Sequence, residues 1–320
     1  MQREPEPAGP AAADQPRQPG FTFVLNVRRV VGAEQYELAP GHYLRIATDD
    51  EVGFIKFYLK RIEALLPVAL DHWEVRLGDN PGHELLPPAE WRYYVIGCPE
   101  ILDARVQRAL DLADPELEFG FEVIFSPNLE PAVFYHPRRL FNALEGVRAV
   151  EGSFLEIQSN QAAKITDVIA QVVNTAPHTQ DCKRLIEQFD SIKHLPRESP
   201  LVFLGYFGIL EALLTHAPKS TDPYDTITRQ VKNKIALLNN NHWPYRLDYS
   251  PFGGASPDTV WTRMYNYRSL LAHGEPAALT GTLAVLGNPD RALSLLKSAV
   301  KSSLLFALGK PDLMADLKNC

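Results

Sequence analysis

Two hydrophobic rhythms divide the chain. Up to about residue 150, apolar residues come in short runs or alternate with polar ones, as in Phe21-Thr-Phe-Val-Leu-Asn-Val27, the pattern of a pleated strand. From about residue 160 the strand signals stop and apolar residues recur every three or four positions, the period of a helix with one buried stripe. Two such rhythms in succession predict an α+β chain, a mixed α/β module followed by an all-α helical bundle. At 320 residues the chain is about twice the usual domain size, so each part can bury a core of its own. The expected division is a disordered tail over 1–20, an α/β domain of unassigned role over 21–155 and a helical domain over 156–320.

Within the first part, strands are expected at 21–27, 42–47, 91–98, 120–125 and 132–135, where aromatic and β-branched residues collect. Thr48-Asp-Asp-Glu51 has the form of a capping box, in which the threonine oxygen and the glutamate each satisfy a free backbone N–H. It predicts a helix over 49–66, with others at 99–113 and 138–144. In the second part, helices are expected at 161–175, 181–193, 201–215, 223–238, 257–272 and 289–308. Ser256 with Pro257 starts the fifth of these and Gly309 lies just beyond the sixth. The segment 239–255 reads as an ordered loop.

Composition sets outer limits. The formal charge of -7 argues against tight non-specific attachment to DNA, which needs many cations against phosphates, although a cleft needs only a few. No uninterrupted apolar run approaches the ~18 residues of a membrane-spanning helix, and the Pro-, Ala- and Gln-rich opening lacks a signal-peptide core. Cys98, Cys182 and Cys320 are scattered without metal-ligand spacing, which fits a reducing, cytoplasmic setting with neither metal nor disulfide. No cofactor motif occurs: Gly253-Gly254 is a turn, since no Gly-Lys-Ser/Thr follows.

The motif with the most chemistry is Tyr265-Asn-Tyr-Arg-Ser-Leu-Leu-Ala-His-Gly274, which places Arg268 and His273 five residues apart at the end of a helix. Arg268-x4-His273 resembles the arginine, four-to-six residues, histidine signature of HEPN domains, and Arg-Ser-Leu-Leu-Ala-His-Gly is similar to the form in their Apea-like branch. Leu210-Glu-Ala-Leu-Leu214 and Ile227-Thr-Arg-Gln-Val231 resemble earlier helices of that branch, so the resemblance covers about 160–310. It implies a metal-independent endoribonuclease, often found in bacterial toxin or antiviral-defence systems, whose site forms between two protomers. RNA and a second copy of the chain are then the expected partners, with a protein regulator as a further one.

The chemistry explains why two residues suffice. RNA carries its own nucleophile, so the protein has only to take a proton from the 2′-OH and stabilise charge on the attacked phosphate, giving a 2′,3′-cyclic product. Histidine suits the first task and the guanidinium fork of arginine the second. On an ideal helix, positions five apart lie roughly 140° apart around the axis, so the pair does not share a face. Either Gly274 frees the helix end, or two copies of the helix meet.

Ser269 follows the arginine where many active members have Asn, Asp or His, and it retains one donor. Glu275 stands where members paired with a nucleotidyltransferase antitoxin have tyrosine. Glu211, in an otherwise apolar helix, needs a cation such as Arg229 or Arg268. Arg229, Lys232 and Asn233 flank the stripe Ile227, Val231, Ile235 and Leu238 and are candidates for an RNA track. Tyr267 is a candidate for stacking on a base. The alternative to cleavage is a non-catalytic RNA- or protein-binding module, in which Arg268 pairs with an acid and His273 caps a helix at the negative end of its dipole.

Overall fold

Aromatic and β-branched runs become strands, and helical stripes become helices, in the computed structural model, which describes residues 20–63, 73–76, 82–85, 93–99, 102–125, 131–134, 155–174, 180–218, 225–243 and 245–320. The strands are β1 (Gly20–Val24), β2 (Val27–Val30), β3 (Gln35–Ala39), β4 (His42–Ile46), β5 (Trp73–Arg76), β6 (Gly82–Leu85), β7 (Tyr94–Cys98), β8 (Phe119–Phe125), β9 (Pro131–Phe134) and β10 (Leu155–Ile157). Helices α1 (Asp49–Glu63) and α2 (Ala104–Leu112) interrupt them. The rest of the chain is α3 (Ser159–Val173), α4 (Gln180–Ile192), α5 (Pro200–Leu214), α6 (Ile227–Asn241), α7 (Pro257–His273), α8 (Pro289–Gly309) and α9 (Pro311–Asn319). The chain is therefore α+β, with an N-terminal sheet region and C-terminal helices.

The main sheet is antiparallel, in the order β3-β4-β7-β1-β8-β9. Alternation along β1 is real: Phe21, Phe23 and Leu25 join the cluster under α1 with Ile55 and Leu59, while Val24 belongs to the cluster on the opposite face. Yet every residue of β1 is buried, because both faces are covered. The capping box at the start of α1 forms, with Thr48 N–H donating to Glu51 Oε2 at 2.8 Å and Glu51 N–H to Thr48 Oγ1 at 3.4 Å.

Several elements escaped the sequence reading. β2 and β10 form a parallel pair, β5 and β6 an antiparallel one, and β3 is too polar to be noticed without its partner β4. α9 is short and buries a single residue, Met314. α6 begins at Ile227, where Thr226 Oγ1 accepts from Arg229 N–H, and runs on to Asn241, into the segment read as loop. Gly309 is the last residue of α8 rather than the first beyond it. The expected helix at 138–144 lies outside the described residues, as does the tail over 1–20 except for Gly20, which opens β1.

β10 lies at the expected boundary near 155, but the apolar core continues across it. One cluster runs from Leu44, Ile96 and Phe119 of the sheet through Val106 and Leu110 of α2 to Ile165 of α3 and Leu296 and Val300 of α8. Tyr36 Oη and Ser159 Oγ lie 2.6 Å apart, tying β3 to α3. By length and composition α8 is long and apolar enough to cross a membrane, but 72% of its apolar window is buried inside this fold. It acts here as the central helix of the bundle.

Where the sheet region meets the bundle, five charges are packed together, Asp111 and Lys301 buried and Glu116, Lys193 and Lys297 half-buried. Lys193 Nζ lies 2.7 Å from Asp111 Oδ1 and also contacts Glu116; Lys297 Nζ lies 2.8 Å from Glu116 Oε2, and Lys301 contacts the same oxygen. Lys301 also donates to the Ala113 carbonyl at 3.0 Å. Burial pushes the Glu116 carboxyl up, but the three ammonium groups together outweigh it and hold the group well below the ordinary value of 4.5. Burial pulls Lys301 down against that same carboxylate.

Removing Glu116 leaves lysines buried without their anion, so Glu116→Ala is expected to lower the unfolding free energy by about 3–5 kcal/mol, read by urea denaturation at pH 7. Because the folded carboxyl titrates below its unfolded value, its stabilisation is complete above about pH 4.5 and is lost as pH falls toward the depressed folded value. The difference between wild type and variant should therefore shrink on acidification.

Candidate functional site

α7 carries the arginine–histidine motif, and its ends are built by local chemistry. Ser256 Oγ accepts from Thr259 N–H at 3.2 Å, and Pro257 occupies the first turn, where no N–H is needed. Val260, Trp261, Met264 and Tyr267 form the buried stripe. At the other end Gly274 takes φ 69°, with Gly274 N–H donating to Leu271 O at 3.2 Å and Glu275 N–H to Leu270 O at 2.9 Å. This paired closure is a Schellman motif, which satisfies the last carbonyls through the backbone. His273, the last helical residue, is exposed, and its imidazole has no hydrogen-bond partner among the described residues.

Arg268 faces α5. Its Nη2 donates to Glu211 Oε2 at 3.1 Å, and its Cζ lies 5.9 Å from the centre of the Tyr265 ring. The arginine side chain is 31% exposed and the glutamate 18%, so the pair sits at the edge of the core. Glu211 Oε1 is buried and has no hydrogen-bond partner among the described residues. Phe203, Phe207 and Glu211 lie one helical turn apart along α5, and each meets a residue of α7. Phe203 packs edge-on against Tyr267 at 4.9 Å, Phe207 against Tyr265 at 6.0 Å, and Glu211 takes Arg268.

The other candidates do not gather around this pair. Tyr267 is 7% exposed, and burial raises its hydroxyl pKa; its ring belongs to the α5–α7 packing rather than to a stacking surface. Ser269 is half-buried on α7. Lys232 Nζ lies 2.6 Å from Asp258 and donates to Thr262 Oγ1 at 3.0 Å, so its charge is taken up at the start of α7. Arg229 and Asn233 lie on the exposed face of α6. Glu211 pairs with Arg268 rather than Arg229.

A cleft of about 720 Å³ opens between the starts of α5 and α8 and the second half of α7, lined by Phe203, Tyr267, Leu271 and Leu293 together with the ion pair Arg197–Asp290. Sequence reasoning did not find it, because its walls come from three segments distant in the chain. On the helical wheel, Leu271 lies about 60° from Arg268 and about 160° from His273, so the cleft adjoins the arginine and faces away from the histidine. The buried lysines were also missed. Their sequence signal is Lys297 and Lys301, four apart on one face of an otherwise apolar helix, which together call for a buried acid.

Among the described residues, no group of three or more His, Cys, Asp or Glu side chains is placed to hold a metal ion. No family model, no curated protein and no solved structure matches this chain.

Two substitutions test this local account. Gly274→Ala should cost about 1 kcal/mol, because the added Cβ meets nothing within 4 Å and only the left-handed backbone opposes it. Tyr267→Ala should cost about 3–5 kcal/mol while Tyr267→Phe costs less than about 1.5 kcal/mol, the signature of ring packing; both are read by urea denaturation.

Proposed function

We propose that the chain is a metal-independent endoribonuclease of HEPN type, acting in the cytoplasm, with His273 as general base and Arg268 as phosphate ligand. The observation that carries this reading is the end of α7, where an exposed histidine has a ring with no hydrogen-bond partner among the described residues while an arginine five residues earlier commits a single donor to Glu211. A histidine retained only as a helix cap is not required there, since Gly274 and Glu275 already bond the terminal carbonyls. Ser269 lies between the two on the helical wheel and supplies a hydroxyl donor to the same sector.

Within one chain the two side chains diverge. The reading therefore includes a second copy, with α7 packed against its equivalent across a two-fold axis so that each arginine serves the other protomer's histidine. Arg268 then offers its fork to the scissile phosphate, His273 takes the 2′-OH proton, the 2′-oxygen attacks phosphorus, and the P–O5′ bond breaks with the 5′-oxygen taking a proton from water, giving a 2′,3′-cyclic phosphate and a 5′-hydroxyl. A bacterial toxin or antiviral-defence setting accords with such an activity. A second reading, a non-catalytic module that binds RNA or protein, is favoured by one observation: Arg268 already has a carboxylate partner.

The test is incubation of mixed cellular RNA with purified protein in EDTA, and then analysis of product ends. Cyclic-phosphate ends are expected from wild type, with activity per protomer rising with concentration as dimers form. His273→Ala and Arg268→Ala should each lower the rate by about 10²–10⁴-fold without unfolding the protein. Intact RNA at every concentration, with all three proteins folded, would leave the binding module as the better account.

A further inference from the structure

The single bond between Arg268 and Glu211 bears on how the proposed site is controlled, and its consequence for RNA rests on Arg268 being the phosphate ligand proposed for it. A carboxylate that positions an arginine for catalysis is normally anchored itself, so that it can fix the plane of the guanidinium. Glu211 is not anchored in this way. Only Oε2 is bonded, to Nη2 alone at 3.1 Å, while Oε1 is buried with no hydrogen-bond partner among the described residues. The contact is one-pronged, whereas guanidinium groups make their strongest pairs through two parallel bonds. Glu211 therefore takes the charge of Arg268 without using its fork, and bears the cost of a buried carboxylate oxygen that no donor among the described residues meets.

We infer that Glu211 is an internal competitor for the anion site of Arg268, a latch that must be displaced before a phosphodiester binds. A phosphate arriving at Arg268 meets a neutralised pair rather than a free cation, and its charge is opposed by the carboxylate only one bond away. It can nevertheless replace the single contact with a two-pronged one, so the exchange is possible, and it is favoured when another surface adds to it. Contact of Arg268 with RNA held by a second protomer would supply that addition. The Tyr265 ring, 5.9 Å from Cζ, keeps the guanidinium near its position when the carboxylate moves away.

This predicts a gain where a supporting role predicts a loss. The probe is a labelled single-stranded RNA oligonucleotide with 2′-O-methyl groups, which lacks the nucleophile, so binding is read apart from cleavage. In EDTA and at fixed low salt, Glu211→Gln should bind this RNA about tenfold more tightly than wild type, the effect of freeing one charge-assisted bond. Glu156→Gln, which removes an exposed acid on β10, controls for general charge and should change affinity little. The gain should vanish in the double variant Glu211→Gln/Arg268→Ala.

Equal or weaker binding by a folded Glu211→Gln protein, or a gain that persists without Arg268, overturns the latch. Should that variant fail to fold, Glu211→Asp withdraws the carboxylate by one methylene and should bind with intermediate affinity; unchanged binding would overturn the inference equally. Cleavage of ordinary RNA is scored separately. Tighter Arg268-dependent binding without any cleavage would uphold the latch and reject the nuclease.

Discussion

The ionic junction at Glu116 is the constraint on which the seating of the helices against the sheet depends. The carboxylate sits on the segment between α2 and β8 and meets lysines from the end of α4 and from two turns of α8, with Asp111 sharing the first of them. Three ammonium groups against two carboxylates in a buried site leave little tolerance for loss of either acid. Around this ionic centre the apolar core is continuous from the sheet to the bundle. The polar centre gives that junction a register, because the lysines reach their partners only when α4, α8 and the sheet are all in place.

From this junction the structure leads outward to α7. α8 packs on α5, and α5 presents Phe203, Phe207 and Glu211 to α7 in successive turns. The first two contacts are aromatic and fixed by shape; the third is ionic and held by one bond. The gradient is physically meaningful, since an aromatic pair loses little when solvent changes whereas an exposed-edge ion pair responds to salt and to competing anions. Adaptability in α7 is thus concentrated at Arg268 and at the exposed histidine beyond it, while the first half of the helix is held by Trp261 and Met264 and by the bond from Trp261 Nε1 to Tyr249 Oη at 2.8 Å.

How much of this was legible from sequence depended on whether the decisive contacts were local. The capping box at Thr48, the Ser256 and Pro257 start of α7, and the Gly274 stop all depend on neighbours within a few residues, and all three are visible in the chain. β3, whose Gln35-Tyr-Glu-Leu-Ala39 pattern is carried only by pairing with β4, is not, and neither is the parallel pair β2 and β10, whose partners lie over a hundred residues apart. The same rule applies at the site. The requirement that Glu211 meet a cation is visible, and Arg268 is one of the two candidates, but the choice between Arg268 and Arg229 needs the α5–α7 crossing. Tyr267 reads from sequence as either a base-stacking or a packing residue, because nothing local reveals which side of α7 faces Phe203.

The separation between Glu116 and Lys301, 185 residues, also has a consequence for how the molecule is made. During synthesis the sheet, with both acids of the junction, leaves the ribosome long before α8 does. Until α8 arrives, Glu116 lacks the Lys297 and Lys301 cations, and the inner face of the sheet lacks Leu296 and Val300. The early half therefore waits with an apolar surface uncovered and with Glu116 short of two of its three cations, and exposed apolar surface of this kind makes an incomplete chain prone to aggregate. The core is completed only by α8, which follows α7 in the chain, so the helix that carries both the arginine and the histidine already exists when the core closes.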